Sequence, residues 1–154
     1  MGEILPKSEM KVRFKKLDST ATAPRKGSAG AAGYDLTASK VTIDVVDKAT
    51  IVYTCHSGIA VEIPQGHVGL LFPRSSVFKT RLQMSNGVGV IDSDYRGEVM
   101  AKFYLVGSDG GDAYEAGERF AQLVIVPIPQ VEYEEAGELS STERGAGGYG
   151  STGR

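Results

Sequence analysis

The chain has no tryptophan and a single cysteine, Cys55. One thiol cannot build an intrachain disulfide framework or a multi-cysteine zinc site. Two histidines, His56 and His67, add too little for a structural metal centre. Positive charge is not in excess either: 17 Lys+Arg against 19 Asp+Glu leave a net charge of −2. A general nucleic-acid binder carries a basic surplus to neutralise phosphates, so that class is set aside. One or two arginines still suffice for a small phosphate site. No run approaches the eighteen apolar residues of a membrane span, so no membrane partner is expected. The opening MGEILPKSEM has no apolar stretch of signal-peptide length, and Pro6 stands where a myristoylation pattern needs Ser or Thr. The expected compartment is the cytoplasm.

Helix signals are also scarce. Ser75 to Gln83 is the one candidate: a serine N-cap, then Val77, Phe78 and Leu82, with no glycine or proline. Glycine is abundant instead, at 20 of 154 residues, where an average share of about 7% would give roughly half as many. Between the glycines and prolines the apolar residues alternate. Val41, Ile43 and Val45 do so, then Ile59, Val61 and Ile63, then Val99, Ala101, Phe103 and Leu105, then Leu123 and Ile125. Further strands are expected near 10–15, 49–54, 67–72, 88–91 and 129–134. About nine short strands in one domain predict an all-β sandwich, barrel or jelly roll with one short helix.

The last twenty residues change character. Five glutamates precede GAGGYGSTGR, too glycine-rich to add to a core. A Gly/Ser terminus is usually a passive one. Here it also carries a lone aromatic, Tyr149, with Arg144 upstream and Ser151 and Thr152 beyond. An aromatic face, a cation, hydroxyls and approachable backbone N–H groups suit a phosphorylated ring. The expected plan is a flexible N-terminus over 1–10, a β domain over 11–135 and an arm over 136–154.

Three segments carry chemistry. In GVGVIDSDYRG (87–97), Gly87 and Gly89 allow close backbone approach, and the turn after Ile91 makes a hairpin able to hold a flat base. Asp92 and Asp94 would lie on the same face of an extended segment there. They read as solvated turn carboxylates or, if partly buried, as a general base for water. In PRSS (73–76), Arg74 supplies a bidentate fork, and Ser75 and Ser76 supply hydroxyls at the start of the helix candidate. Serine capping alone would explain one serine and leave Arg74 open. In GERFAQLVI (117–125), Gln122 is an amide within an apolar strand, which must find a partner, structural or ligand.

With AAGYDL (31–36), these segments resemble the five ordered motifs of the trimeric deoxyuridine triphosphatase (dUTPase) family, from about Lys11 to Gly153. The resemblance implies a β jelly roll, or distorted barrel, assembled as a homotrimer with three shared active sites. Each site would take motifs one, two and four from one chain, the hairpin from a second and the glycine-rich arm from a third. The implied activity is hydrolysis of dUTP to dUMP and pyrophosphate, which limits uracil in DNA and feeds dTMP synthesis. Asp92 matches the aspartate that activates the attacking water. Asn86, Gly89, Val90 and Ile91 would read the uracil edge, with Met100 lining that pocket. Tyr95 would lie against the deoxyribose and exclude a 2′-hydroxyl. Arg74, Ser75, Ser76 and Gln122 would hold the phosphate chain. Arg144, Gly150, Ser151 and Thr152 would close over the γ-phosphate while Tyr149 stacks on the base. Asp35 would bind, through water, a Mg²⁺ chelated by the triphosphate itself.

The chain departs from the family pattern at Tyr149 for Phe, at Phe120 for Ile, and at Val77–Phe78 for Leu-Ala. The related dCTP deaminases share the jelly roll and an arginine-serine motif. They need a proton-shuttling acid by the base, whereas here the hairpin carries Asp92 and Glu98 lies beyond the turn. A dUTPase-like regulatory binder or a coat-protein jelly roll would leave the complete motif set without purpose.

Overall fold

The computed structural model describes residues 10–107 and 112–150. Among these, nine strands are present: β1 (Arg13–Lys16), β2 (Tyr34–Thr37), β3 (Lys40–Asp47), β4 (Thr50–Glu62), β5 (His67–Pro73), β6 (Leu82–Met84), β7 (Gly89–Ile91), β8 (Glu98–Leu105) and β9 (Arg119–Pro127). All pairings are antiparallel and form two sheets. One runs β1-β4-β8-β6, with β3 also on β4; the other runs β2-β9-β5-β7. Neither sheet closes on itself, so the fold is an open jelly roll of two layers.

The alternation read from sequence is what builds the layers. On β8, Val99, Ala101 and Phe103 are buried while Met100, Lys102 and Tyr104 face outward. Their inward face meets Phe120, Ala121 and Leu123 of β9 and Leu36 of β2 in one core, with Ile59, Ile63 and Leu71. The Phe103 ring meets Tyr114 edge-on, centroids 5.4 Å apart. Burying each of Phe103 and Phe120 contributes roughly 1.5–3 kcal/mol. Cys55 is fully enclosed there, and burial pushes its thiol up to about 12, which leaves it inert as a nucleophile.

Three expectations are corrected. The strands expected at 49–54 and 59–63 are a single strand, β4, which carries both β3 and β1 along one edge. Its pairing with β8 shifts register between His56 and Ala60. The helix expected over Ser75–Gln83 is a 3-10 turn, Ser75–Lys79, without a side-chain cap. At Thr80 the backbone is already extended, and Leu82 and Met84 point inward at strand period as β6 pairs with β8. Residues 129–134 form no strand. Pro127 and Pro129 remove ladder donors, and Tyr133 is almost completely exposed.

Candidate active site

Three neighbouring strands bring the phosphate candidates together. Asp35 on β2 stands opposite Gln122 on β9, which stands opposite Phe72 on β5. Arg74 follows directly after β5. The Gln122 amide donates to the Pro73 carbonyl at 3.2 Å, so it has the structural partner its burial demands and fixes the start of PRSS. Arg74 Nε donates to Asp35 Oδ1 at 3.1 Å, and its Nη1 donates to Ser76 Oγ at 3.2 Å. Asp35 Oδ2 accepts from Arg119 Nη1 at 2.9 Å. Asp35 is only 8% exposed, and a buried carboxylate persists only when paired in this way.

Beside this cluster opens a cleft of about 900 Å³, lined by Arg25, Arg74, Lys79 and Arg119 with the Ser76 and Thr80 side chains. Asp112, Glu115 and Glu118 share the lining, so four cations against three carboxylates leave a single positive excess, with two hydroxyls, to meet an anion. Arg119 was missed in the sequence. It lies in GERFAQL, but its partner Asp35 is 84 positions away, and only strand pairing joins them.

The hairpin candidates lie elsewhere. β7 is an edge strand, pairing Gly89 with Leu71 and Ile91 with Gly69 of β5. Its outer row of N–H and C=O groups is therefore not used by β5 and can read a planar amide edge. Gly89 packs directly over Leu71: a Cβ added there would come within 3.1 Å of Leu71 Cβ. Asn86 precedes β7 in the turn from β6, its carbonyl accepting from Val88 N at 2.6 Å. Val90 and Met100 are exposed and Ile91 is half-buried.

Asp92 sits at the end of β7 and, with Asp94, faces a second cleft of about 940 Å³ that also holds Lys11, Arg13, His67 and Arg96. The two aspartates belong to a turn, not to an extended segment. Its geometry is held by Tyr95 N donating to Asp92 O at 3.1 Å and by Arg96 Nη1 donating to Ser93 O at 2.7 Å and Tyr95 O at 3.0 Å. Arg96 reaches Glu62 at 3.7 Å, and Glu62 also pairs with Arg13. The bonded Arg13 guanidinium holds the Glu62 carboxyl below its ordinary range.

The arm candidates stand apart from both clefts. Arg144 Nε donates to the Gly147 carbonyl at 2.9 Å and Gly147 N donates back to Arg144 O at 3.1 Å, a self-contained turn. Tyr149 is fully exposed with a left-handed φ of 48°, followed by Gly150 at 89°. Ser151 and Thr152 lie outside the described residues. The structure thus gathers Asp35, Arg74, Ser76 and Gln122, holds the hairpin residues on β7 and its turn, and brings none of the described arm residues to the lining of either cleft. Ser75 joins the first group by its position after Arg74.

Among the described residues no three His, Cys, Asp or Glu side chains converge as a metal cage. Asp112, Glu115 and Glu118 line the cation cleft itself, while beside it stands Asp35, bonded to two of the lining arginines. Each of its oxygens bonds one guanidinium and retains a lone pair that can accept from a water. That donor set fits an ion that keeps its hydration shell and arrives with a polyphosphate.

The dUTPase family model matches residues 19–153. The deoxyuridine 5'-triphosphate nucleotidohydrolase of Hydrogenobaculum sp. (strain Y04AAS1) is 41% identical over 146 residues, which is 94% of this chain and 99% of that protein. The mitochondrial protein of that name from Homo sapiens is also 41% identical over 146 residues, and there the chain spans 56% of the relative's length. Among solved structures, Staphylococcus bacteriophage 80alpha dUTPase with dUPNHPP aligns with a TM-score of 0.74 at 31% identity, covering 94% of this chain and 99% of that one. A mutant dUTPase from phage phi11 of S. aureus, described with a structural Mg(II) ion, aligns with a TM-score of 0.70 at 26% identity, covering 84% and 98%.

Proposed function

The chain belongs to the dUTPase family, and on that footing we propose that it is a dUTP diphosphatase, hydrolysing dUTP to dUMP and pyrophosphate. The observation that carries the reading is the cluster in which Asp35 holds Arg74 and Arg119 at the rim of a cleft also lined by Arg25, Lys79 and two hydroxyls. It gathers guanidinium donors for phosphate oxygens in a chain with no overall basic surplus. Asp92 takes the proton from the water that attacks the α-phosphorus. The bond to the bridging oxygen breaks, and Arg74 and Arg119 take up the charge growing on the pyrophosphate. Arg144, Gly150, Ser151 and Thr152 of the arm close over the γ-phosphate, and Tyr149 stacks on the base.

Base selection belongs to β7, whose free edge pairs with uracil beside Asn86. Gly89 rests on Leu71 so closely that the hairpin cannot retreat from a 5-methyl group. Sugar selection belongs to Tyr95, held over the turn next to Asp92. Asp35 would hold, through water, a Mg²⁺ arriving with the triphosphate, and that ion would supply charge neutralisation at the phosphate oxygens.

One copy does not complete this site. Asp92 lies beside Val68 at one end of β5, and Arg74 follows the other end. Six residues of strand span about 20 Å at roughly 3.3 Å per residue. An α-phosphate cannot meet both groups of the same chain. More than one copy must therefore contribute, and with the family resemblance we propose a homotrimer in which hairpin, phosphate cleft and arm come from different copies; the cytoplasm is its proposed compartment.

Pyrophosphate release with Mg²⁺ and, separately, dUTP, dTTP, UTP and dCTP tests the reading. Release from dUTP alone is expected, with Asp92→Asn retaining nucleotide binding while turnover falls about 10²- to 10⁴-fold. Ammonia from dCTP, or undiminished turnover in the Asn variant, contradicts it.

A further inference from the structure

Beneath the recognition hairpin lies a polar chain that the mechanism above does not use. Glu98 opens β8 just after the Tyr95 turn. Its side chain is 23% exposed, and it spends both oxygens on β4: Oε1 accepts from Gly58 N at 2.8 Å and Oε2 lies 3.1 Å from His56 Nδ1. His56 Nε2 continues the chain to Thr42 Oγ1 on β3 at 3.3 Å. The link forms where the β4–β8 register slips between His56 and Ala60, so Glu98 fills ladder positions that the irregularity would leave open. Ser57 Oγ, which donates to the Val99 carbonyl, closes the same gap from the other strand.

The backbone of Glu98 faces the hairpin. Its carbonyl accepts from the Tyr95 hydroxyl at 3.0 Å. The hydroxyl end of Tyr95 lies so close to Gly97 that a Cβ there would sit 2.4 Å from the hydroxyl oxygen. Tyr95 is 40% exposed and otherwise rests on a turn, so this hydroxyl bond sets the height of its ring. A carbonyl can serve as an anchor only if its own main chain is fixed: Glu98 pairs with Ala60 on one side of the register slip, and its side chain ties it across the slip to Gly58 and His56.

We propose that Glu98, braced by His56 and Gly58, is a positioning residue for sugar discrimination: it fixes the carbonyl that holds Tyr95 against the 2′-carbon. The proposal rests on the dUTPase reading and on Tyr95 as the sugar gate. It makes discrimination between deoxyribose and ribose depend on a carboxylate that touches no substrate atom.

The test compares kcat and KM for dUTP and UTP, with thermal melting, in the wild type, Glu98→Ala, Glu98→Gln, Tyr95→Phe and the Glu98→Ala/Tyr95→Phe double variant. Glu98→Ala should lower the dUTP:UTP ratio of kcat/KM about three- to tenfold, the worth of one hydrogen bond. The fall should come mainly through KM. Glu98→Gln still accepts from Gly58 N, folds, and should restore most of the ratio. Tyr95→Phe should lower it as far as Glu98→Ala, and the double variant no further, because both act through one contact. A folded Glu98→Ala trimer with lowered melting temperature and an unchanged ratio overturns the positioning role and leaves the enzyme reading intact. A wild type that hydrolyses dUTP and UTP alike overturns the gate and this proposal with it.

Discussion

At the scale of single residues, the arrangement around Asp35 decides how the phosphate cleft is built. A nearly buried carboxylate holds two guanidiniums, one through each oxygen, and leaves the pair with a net positive charge directed at the cleft. Arg74 is thereby aimed before any ligand arrives, which lowers the ordering cost of binding. Asp35→Asn keeps the shape and removes the charge, leaving Arg74 and Arg119 to repel each other. Breaking a fully buried pair costs about 3–5 kcal/mol, but both arginines reach solvent, so about 1–3 kcal/mol is expected from urea unfolding. KM for dUTP should rise with it. A variant as stable as the wild type with unaltered KM would show that Arg74 needs no such support.

At the scale of elements, β4 is the organising strand, and its continuity depends on Gly58. The backbone there has φ of 67°, and a Cβ would lie 2.4 Å from Asp18 Oδ2, 2.8 Å from Ala21 Cβ and 2.9 Å from Ser39 Oγ. Gly58→Ala combines left-handed strain with overpacking, about 2–4 kcal/mol together. A urea midpoint unchanged by this substitution would refute the account. The same residue explains a misreading. In the sequence, a glycine between two alternating runs looks like a turn, so one thirteen-residue strand reads as two. The alternation of β8 and β9 and the PRSS and hairpin motifs were legible because they are local patterns of adjacent residues. The 3-10 turn was not, because Val77, Phe78 and Leu82 fit helical spacing, and only the β6–β8 pairing makes Leu82 and Met84 a strand. Arg119 and the Glu98–His56 link were hidden for the same reason: each joins positions that are remote until the sheets form.

At the scale of the whole molecule, the placement of Asp92 and Arg74 at opposite ends of β5 separates two ways of building the enzyme. If each site belonged to one chain, a subunit lacking either residue would be dead in any company. If the hairpin and the phosphate cleft come from different copies, two dead proteins can repair each other. Asp92→Asn and Arg74→Ala should each form nearly inactive homotrimers. Unfolded together in equal amounts and refolded, they should give mixed trimers in which about one quarter of the sites pair an intact Asp92 from one chain with an intact Arg74 from another, as random assortment about a closed threefold requires. Pyrophosphate release should then recover to about that fraction of the wild-type rate, while the same variants refolded separately and mixed afterwards stay inactive. Since every chain still carries a complete arm, the recovered sites have all three contributions. Full recovery of subunit exchange, shown by native mass spectrometry, with no recovered activity would mean that Asp92 and Arg74 serve within a single chain, and the β5 geometry would then have to change on assembly.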